Sequence, residues 1–178
     1  YGPAFELLER MPVRPGSEEY LDSEKYQLRE WDLDDPASLA PLIRRLNEIR
    51  REQPAFRHLS TLRFHDTDAE GLLCFTKTDP TGVGGPVLVV VNVDERLRHA
   101  GMIHVDPATF GLGLGDDDEF EVVDLLGGGG YRWRGWHNYV DLSPERGAAH
   151  VFSVRLPAPE GPETDESVGD ETDGQPAR

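Results

Sequence analysis

Residues 86–93 read "PVLVVVNV", and how that run is placed decides the fold. Six of its eight residues are aliphatic, five of them branched valines, and Pro86 stands at its head. It is too short for a membrane span and too β-branched for a favoured helix. With no polar residue on either alternating face until Asn92, it predicts a strand covered on both sides, central in its sheet. A sheet must therefore flank it. Period-two candidates follow on both sides: 61–66 "TLRFHD", 72–78 "LLCFTKT", 100–105 "AGMIHV", 119–126 "EFEVVDLL", 131–134 "YRWR", 138–142 "NYVDL" and 149–155 "AHVFSVR". Short strands at this spacing, with Gly, Pro and Asp between them, predict an antiparallel β-sandwich.

Ahead of the strands the pattern changes. Leu39, Leu42, Ile43, Leu46 and Ile49 recur at three- and four-residue spacing, opposite Arg44, Arg45, Glu48, Arg51 and Glu52. This is an amphipathic helix, with Asp35 as expected N-cap, Pro36 at the first helical position, and an end before Pro54. Residues 1–34 are loop-like, broken by Pro3, Pro12, Pro15 and Gly16, with a short helical turn through "FELLER". At the other end, 158–178 hold seven acids, one valine and no aromatic residue. Such a segment cannot bury enough apolar surface to offset its ordering entropy, so 157–178 is expected to be a disordered acidic tail.

The chain has 178 residues and a formal net charge of −16, which disfavours nucleic acid and anionic lipid surfaces as partners. No run reaches the ~20 apolar residues of a membrane-spanning helix, and no signal peptide precedes the first strand. Cys74 is the only cysteine, so disulfides and thiolate metal clusters are excluded within the chain. It is expected to be a small buried hydrophobe, and a reducing, cytoplasmic setting fits.

Few motifs carry chemistry. "GGGG" (127–130) and "GLGLG" (111–115) lie between strand-like segments with no helix start or lysine behind them, so they read as tight turns and not phosphate loops. Histidines 58, 65, 99, 104, 137 and 150 fall one to a segment, without the spacing of a zinc site, and are expected to be structural or on the surface. In "YRWRGWHNYV" (131–140), Trp133, Trp136 and Tyr139 offer a stacking platform for a sugar ring or, on the favoured reading, core packing. The loop "GSEEYLDSEKY" (16–26) has four carboxylates, Glu18, Glu19, Asp22 and Glu24, beside Lys25 and Tyr26. Loop acids are usually solvated, whereas an ammonium next to a phenol makes a clamp for sugar hydroxyls.

The phrases "YGPAFELLE" (1–9), "RPGSEEYLDSEKYQLREWDLD" (14–34) and "LAPLIRRLNEIRREQPAF" (39–56) carry a resemblance. They resemble the end of a (β/α)8 barrel in the α-amylase superfamily, in particular the maltosyltransferases that use α-maltose 1-phosphate to extend α-1,4-glucans. "VVDLLGGGGYRWRGWHNYVDL" (122–142) and "AHVFSVRL" (149–156) resemble that family's C-terminal sandwich. One departure is "SPERGAAHVFSV" (143–154), where the family pattern leads us to expect a proline before "AH".

The resemblance implies 1–57 as the last loop and helix of a catalytic barrel, 58–156 as a C-terminal β-sandwich, and the tail beyond. It implies a retaining transferase, with no cofactor or metal, acting on α-maltose 1-phosphate and an α-1,4-glucan acceptor. The catalytic carboxylates would belong to earlier barrel strands, so no catalytic residue maps here. Lys25 and Tyr26 match the family's "EKY" phrase and are the implied donor-sugar contacts; Glu6 lies near the active-site mouth. The intact enzyme is expected to be a homodimer, and this fragment alone inactive. The alternatives are another α-amylase superfamily hydrolase or isomerase, or a non-catalytic α-glucan-binding sandwich that uses Trp133 and Trp136. On the fragment reading the helix stripe should be only partly covered, because its barrel partner is absent.

Overall fold

The computed structural model describes residues 3–21, 28 and 30–158. Its eight strands are β1 (Arg63–Thr67), β2 (Leu72–Lys77), β3 (Val87–Asn92), β4 (His99–His104), β5 (Glu119–Asp124), β6 (Gly130–Arg134), β7 (His137–Leu142) and β8 (Ala149–Arg155). All strand pairings are antiparallel, in the order β6-β5-β8-β3-β2-β1-β4-β7. The sandwich is thus one continuous sheet folded over on itself. Strand β1 makes the crossing, since Arg63–His65 pair with β2 while Asp66 and Thr67 pair with β4. At the far side the end strands β6 and β7 nearly close the sheet, and Asn138 bridges them. Its carboxamide accepts from Arg134 N–H (3.3 Å) and donates to the Gly135 carbonyl (3.1 Å).

Strand β3 is the central strand that its valines predict. Leu88 and Val90 are fully buried in the inner core with Cys74, Ile103, Phe120, Val122, Leu142 and Phe152. Val89 and Val91 face the other way, where they pack with Ile49, Phe56 and Phe75. The second layer over that outer face is a helix.

Two helices precede the sheet: α1 (Pro3–Glu6) and α2 (Ala40–Glu52). Helix α2 begins four residues later than Asp35 and Pro36 imply. Asp35 closes a turn of its own, its carboxylate accepting from Ala37 N–H (2.8 Å) and its carbonyl from Ser38 N–H (2.9 Å). Pro41 explains the shift. In a helix started at residue 36, Pro41 would lack the N–H that bonds the residue 37 carbonyl, and its ring would strike that group. Starting at Ala40 puts Pro41 in the first turn, where no donor is needed. The helix ends at Gln53, whose N–H donates to Ile49 (2.9 Å), and Pro54–Arg57 form a 3₁₀ turn.

The apolar stripe of α2 is only partly covered. Ile49 is 2% exposed against β3 and β8, whereas Leu42 and Leu46 are 49% and 43% exposed. Two polar ties fix the docking: Arg45 Nε donates to the Leu125 carbonyl (2.9 Å), and Lys77 Nζ to that of Phe56 (3.3 Å). Burial, then repulsion from Arg50, lowers the Lys77 pKa. Truncating the docked end should loosen the layer: Ile49→Ala is expected to cost about 2–5 kcal/mol in a urea unfolding titration.

No helix among the described residues is long and apolar enough to cross a membrane.

Candidate functional site

The loop between α1 and α2 is tied at its base. The Glu6 carbonyl accepts from Leu39 N–H (2.7 Å) and from the Ser38 hydroxyl (3.3 Å), so residues 7–38 leave and return at one place. Helix α1 ends with Leu8 in the left-handed region (φ 57°), which turns the chain away. A narrow hairpin follows. Val13 N–H donates to the Glu19 carbonyl (2.8 Å), Leu21 N–H to that of Met11 (2.6 Å), and Ser17 N–H closes the tip on Arg14 (3.0 Å). Gly16 at the tip has φ 79°, a conformation that glycine adopts without strain. The first half of "GSEEYLDSEKY" is therefore a formed turn with Ser17 half-buried and both Glu18 and Glu19 exposed. Lys25 and Tyr26 lie outside the described residues, as do Asp22 and Glu24. Glu6 is half-buried at the loop base, held through its backbone.

The sandwich aromatics do not form one platform. Trp133 packs edge-on to Phe120 and Phe152, with ring centroids 6.3 and 5.2 Å away, on the core side of β6. Tyr139 stands on the solvent side of β7, exposed between buried Asn138 and Val140. Trp136 is exposed in the β6–β7 bend, with its indole N–H donating to Asp116 (3.2 Å). Trp133 and Tyr139 share only a cleft of about 150 Å³ with Tyr131 and His150, and Trp136 does not line it. That is below the ~300–1,000 Å³ of ordinary ligand pockets.

A larger cavity of about 520 Å³ lies between Leu42 and Leu46 of α2 and the turns 126–129 and 146–149. Asp124 sits at its floor and accepts from His150 Nδ1 (2.8 Å), Leu126 N–H (3.0 Å) and Val151 N–H (3.2 Å). Burial alone would raise the Asp124 pKa, but these bonds outweigh it and hold the carboxyl below its ordinary range. The same residue anchors the "GGGG" turn: Gly128 (φ 77°) donates to the Asp124 carbonyl, and a Cβ at Gly127 would meet its Oδ2 at 2.7 Å. This glycine run is a tight turn, closed by the Gly128 N–H and by the Gly129 carbonyl, which accepts from Asp124 N–H (2.7 Å).

Each histidine has a polar partner. His58 faces Asp79 (3.7 Å), His65 bonds Thr76 (2.8 Å), His99 faces Asp94 (3.4 Å) and His150 bonds Asp124. Strand register adds a pair that chain spacing conceals. His104 and His137 are partners on β4 and β7, with their Nδ1 atoms 2.7 Å apart, and His104 Nε2 lies 2.7 Å from Asp68. The hydrogen bond from His104 is the main cause that lowers the Asp68 pKa. No group of three or more metal-ligating side chains gathers among the described residues. Cys74 is buried, its thiol pushed up to about 12 by that burial, and is inert as a nucleophile at neutral pH.

Asp79 supplies the clearest pH signal. Its carboxylate takes N–H and hydroxyl bonds from Thr81 and an N–H bond from Gly84, which bring its pKa down to about 2. A carboxyl depressed on folding stabilises the fold above its unfolded pKa, ordinarily 3.8, and ceases to as pH falls through about 2. Asp79→Asn should therefore be less stable than the parent at neutral pH. The difference in urea midpoint should shrink between about pH 4 and pH 2.

The fold and loop define an antiparallel β-domain with one outer helix and a pinned N-terminal loop. Residues 64–154 match the family described as "GLGE, C-terminal", and the chain belongs to that family. Among the relatives named alpha-1,4-glucan:maltose-1-phosphate maltosyltransferase, three show the extent of the likeness. The second form from Streptomyces coelicolor is 47% identical over 158 residues, 86% of this chain and 23% of its own length. Those from Mycobacterium tuberculosis (45% over 154 residues) and Methylacidiphilum infernorum (40% over 154) cover 84% and 86% of this chain, and 21% and 22% of their own. The chain thus spans between a fifth and a quarter of their lengths. Alignments of that extent necessarily take in part of residues 1–63, ahead of the family match. A solved α-amylase from Anoxybacillus is 16% identical with a TM-score of 0.39, over 66% of this chain and 23% of its own, a likeness too slight to carry weight.

Proposed function

We propose that this chain is the C-terminal part of a retaining maltosyltransferase that moves maltosyl units from α-maltose 1-phosphate to the non-reducing ends of α-1,4-glucans. The observation that carries the reading is 40–47% identity to three proteins of that name over 84–86% of the chain. Residues 1–57 are the last loop and helix of a (β/α)8 barrel, 58–156 its C-terminal β-domain, and 157–178 an acidic tail. The half-bare stripe of α2 supports this division, since Leu42 and Leu46 present an apolar surface that a preceding barrel would cover. The parent is read as a cytoplasmic homodimer, joined through parts outside this chain.

In the reaction a barrel carboxylate attacks the anomeric carbon of the donor and phosphate departs. The acid/base carboxyl protonates the departing phosphate; as a carboxylate it then takes the proton of the terminal glucan hydroxyl that attacks the glycosyl–enzyme and frees the barrel carboxylate. Two inversions give net retention. This chain contributes one wall of the donor pocket: Lys25 donates from its ammonium and Tyr26 from its phenol to hydroxyls of the non-reducing glucose. What supports that role is the resemblance of the "EKY" phrase at 24–26, on a loop whose two ends are tied together at Glu6, Ser38 and Leu39.

The test is release of inorganic phosphate from α-maltose 1-phosphate by the full-length parent, with and without glycogen. Glycogen-dependent release is expected. A hydrolase would release free maltose without needing an acceptor, and an isomerase would release no phosphate. The isolated 178-residue chain is expected to transfer nothing, and any transfer by it would contradict the fragment assignment. Retention of the chain on a glycogen affinity gel, lost in Trp136→Ala but not in Lys25→Ala, would favour the sugar-binding module instead.

A further inference from the structure

We propose that His104 and His137 form a two-histidine binding site for a divalent transition-metal ion, with Asp68 as the carboxylate that orients the first ligand. The site is assembled by sheet register: β4 and β7 place the two residues directly opposite each other at one end of their pairing. Their rings meet edge to face, 4.8 Å between centroids and 74° between planes, with the Nδ1 atoms 2.7 Å apart. On the far side of the first ring, His104 Nε2 lies 2.7 Å from Asp68 Oδ1.

Protons assign the roles. An ionised Asp68 only accepts, so His104 carries its hydrogen on Nε2 and leaves the Nδ1 lone pair free. His137 then donates from Nδ1 to Nδ1 of His104. This is the arrangement of a metal-ready histidine, whose second nitrogen donates to a carboxylate that fixes tautomer and ring plane. Binding needs one proton to move: His137 shifts its hydrogen from Nδ1 to Nε2 of its exposed ring, and both Nδ1 lone pairs turn to the ion. Metal–nitrogen bonds of about 2.0–2.1 Å at a near-tetrahedral angle set the two nitrogens about 3.3 Å apart. The rings must therefore part by roughly 0.6 Å, which the exposed His137 ring allows. With two protein ligands, water completes the coordination and the ion stays exchangeable. Imidazole donors select zinc, nickel or copper over magnesium or calcium.

The test is calorimetric titration of Zn²⁺ into the untagged chain near neutral pH, with Ni²⁺ as a second probe and Mg²⁺ as a control. One equivalent of Zn²⁺ per chain is expected, with no heat from Mg²⁺. His137→Ala should abolish the binding while far-UV circular dichroism stays unchanged, because the side chain is exposed. Asp68→Asn keeps the shape but loses the acceptor charge, and should weaken binding about 10- to 100-fold. Absence of saturable one-site binding would overturn the proposal. So would undiminished binding in His137→Ala, which would assign the ion to the other histidines.

Discussion

Phe152→Ala is expected to lower the free energy of unfolding by about 3–5 kcal/mol, the range for a large aromatic removed from a packed core. Phe152 is 1% exposed on β8, paired with Leu88 of β3 on one side and Asp124 of β5 on the other. Its ring is a hub. Trp133 meets it edge-on at 5.2 Å, Tyr131 at 6.1 Å, and His150 stacks on it at 4.9 Å. Trp133 and Tyr131 are fixed on β6 and His150 on β8 itself, so they cannot all collapse into the space left behind. The loss should also unfix Trp133, so native tryptophan fluorescence should shift before any unfolding begins. Phe64→Ala is the contrast: that ring is 63% exposed and touches Phe75 edge-on. It should cost no more than about 1 kcal/mol. Equal costs would mean that the inner face of β8 is not the core.

Lys25→Ala in the full-length parent carries the largest expected effect on activity. Charge-assisted hydrogen bonds to a ligand contribute about 1.5–3 kcal/mol, so kcat/KM for α-maltose 1-phosphate should fall about 10- to 100-fold. Tyr26→Phe removes one neutral donor and should cost less, about 0.5–1.5 kcal/mol. Neither should alter thermal unfolding of the β-domain, because neither residue belongs to its inner cluster (Leu72–Val154) or to its outer one around Ile49. A Lys25→Ala enzyme with unchanged kinetics would remove this loop from the donor site.

The strands were legible because each has a period of two and a breaker beside it. All eight proposed runs coincide with strands to within two residues at either end. The central place of β3 followed from its doubly apolar pattern, since only a strand packed on both faces tolerates Val87–Val91 without a polar residue. The start of α2 is ambiguous in the sequence because Asp35-Pro36 is as good a cap as Ser38 and Pro41, and only the clash that Pro41 imposes separates them. Sheet closure was not legible. Which two strands become the ends depends on β1 switching partners after His65, and no local pattern announces that. The His104–His137 pair was hidden for the same reason: 33 residues separate two rings that one register brings into contact. Spacing rules for metal sites look along the chain, and this pair lies across it. The roles proposed for Lys25 and Tyr26 rest on side-chain chemistry and on resemblance to a phrase, and both residues lie outside the described ones.

The most direct measurement of the central claim is the product ladder made by the full-length parent from α-maltose 1-phosphate and a short maltooligosaccharide. Transfer of intact maltosyl units predicts that the acceptor grows in steps of two glucose residues, with each new linkage α-1,4 by proton NMR and one phosphate released per step. Growth by single glucose residues, β-linked product, or maltose released with no change in acceptor length would contradict it.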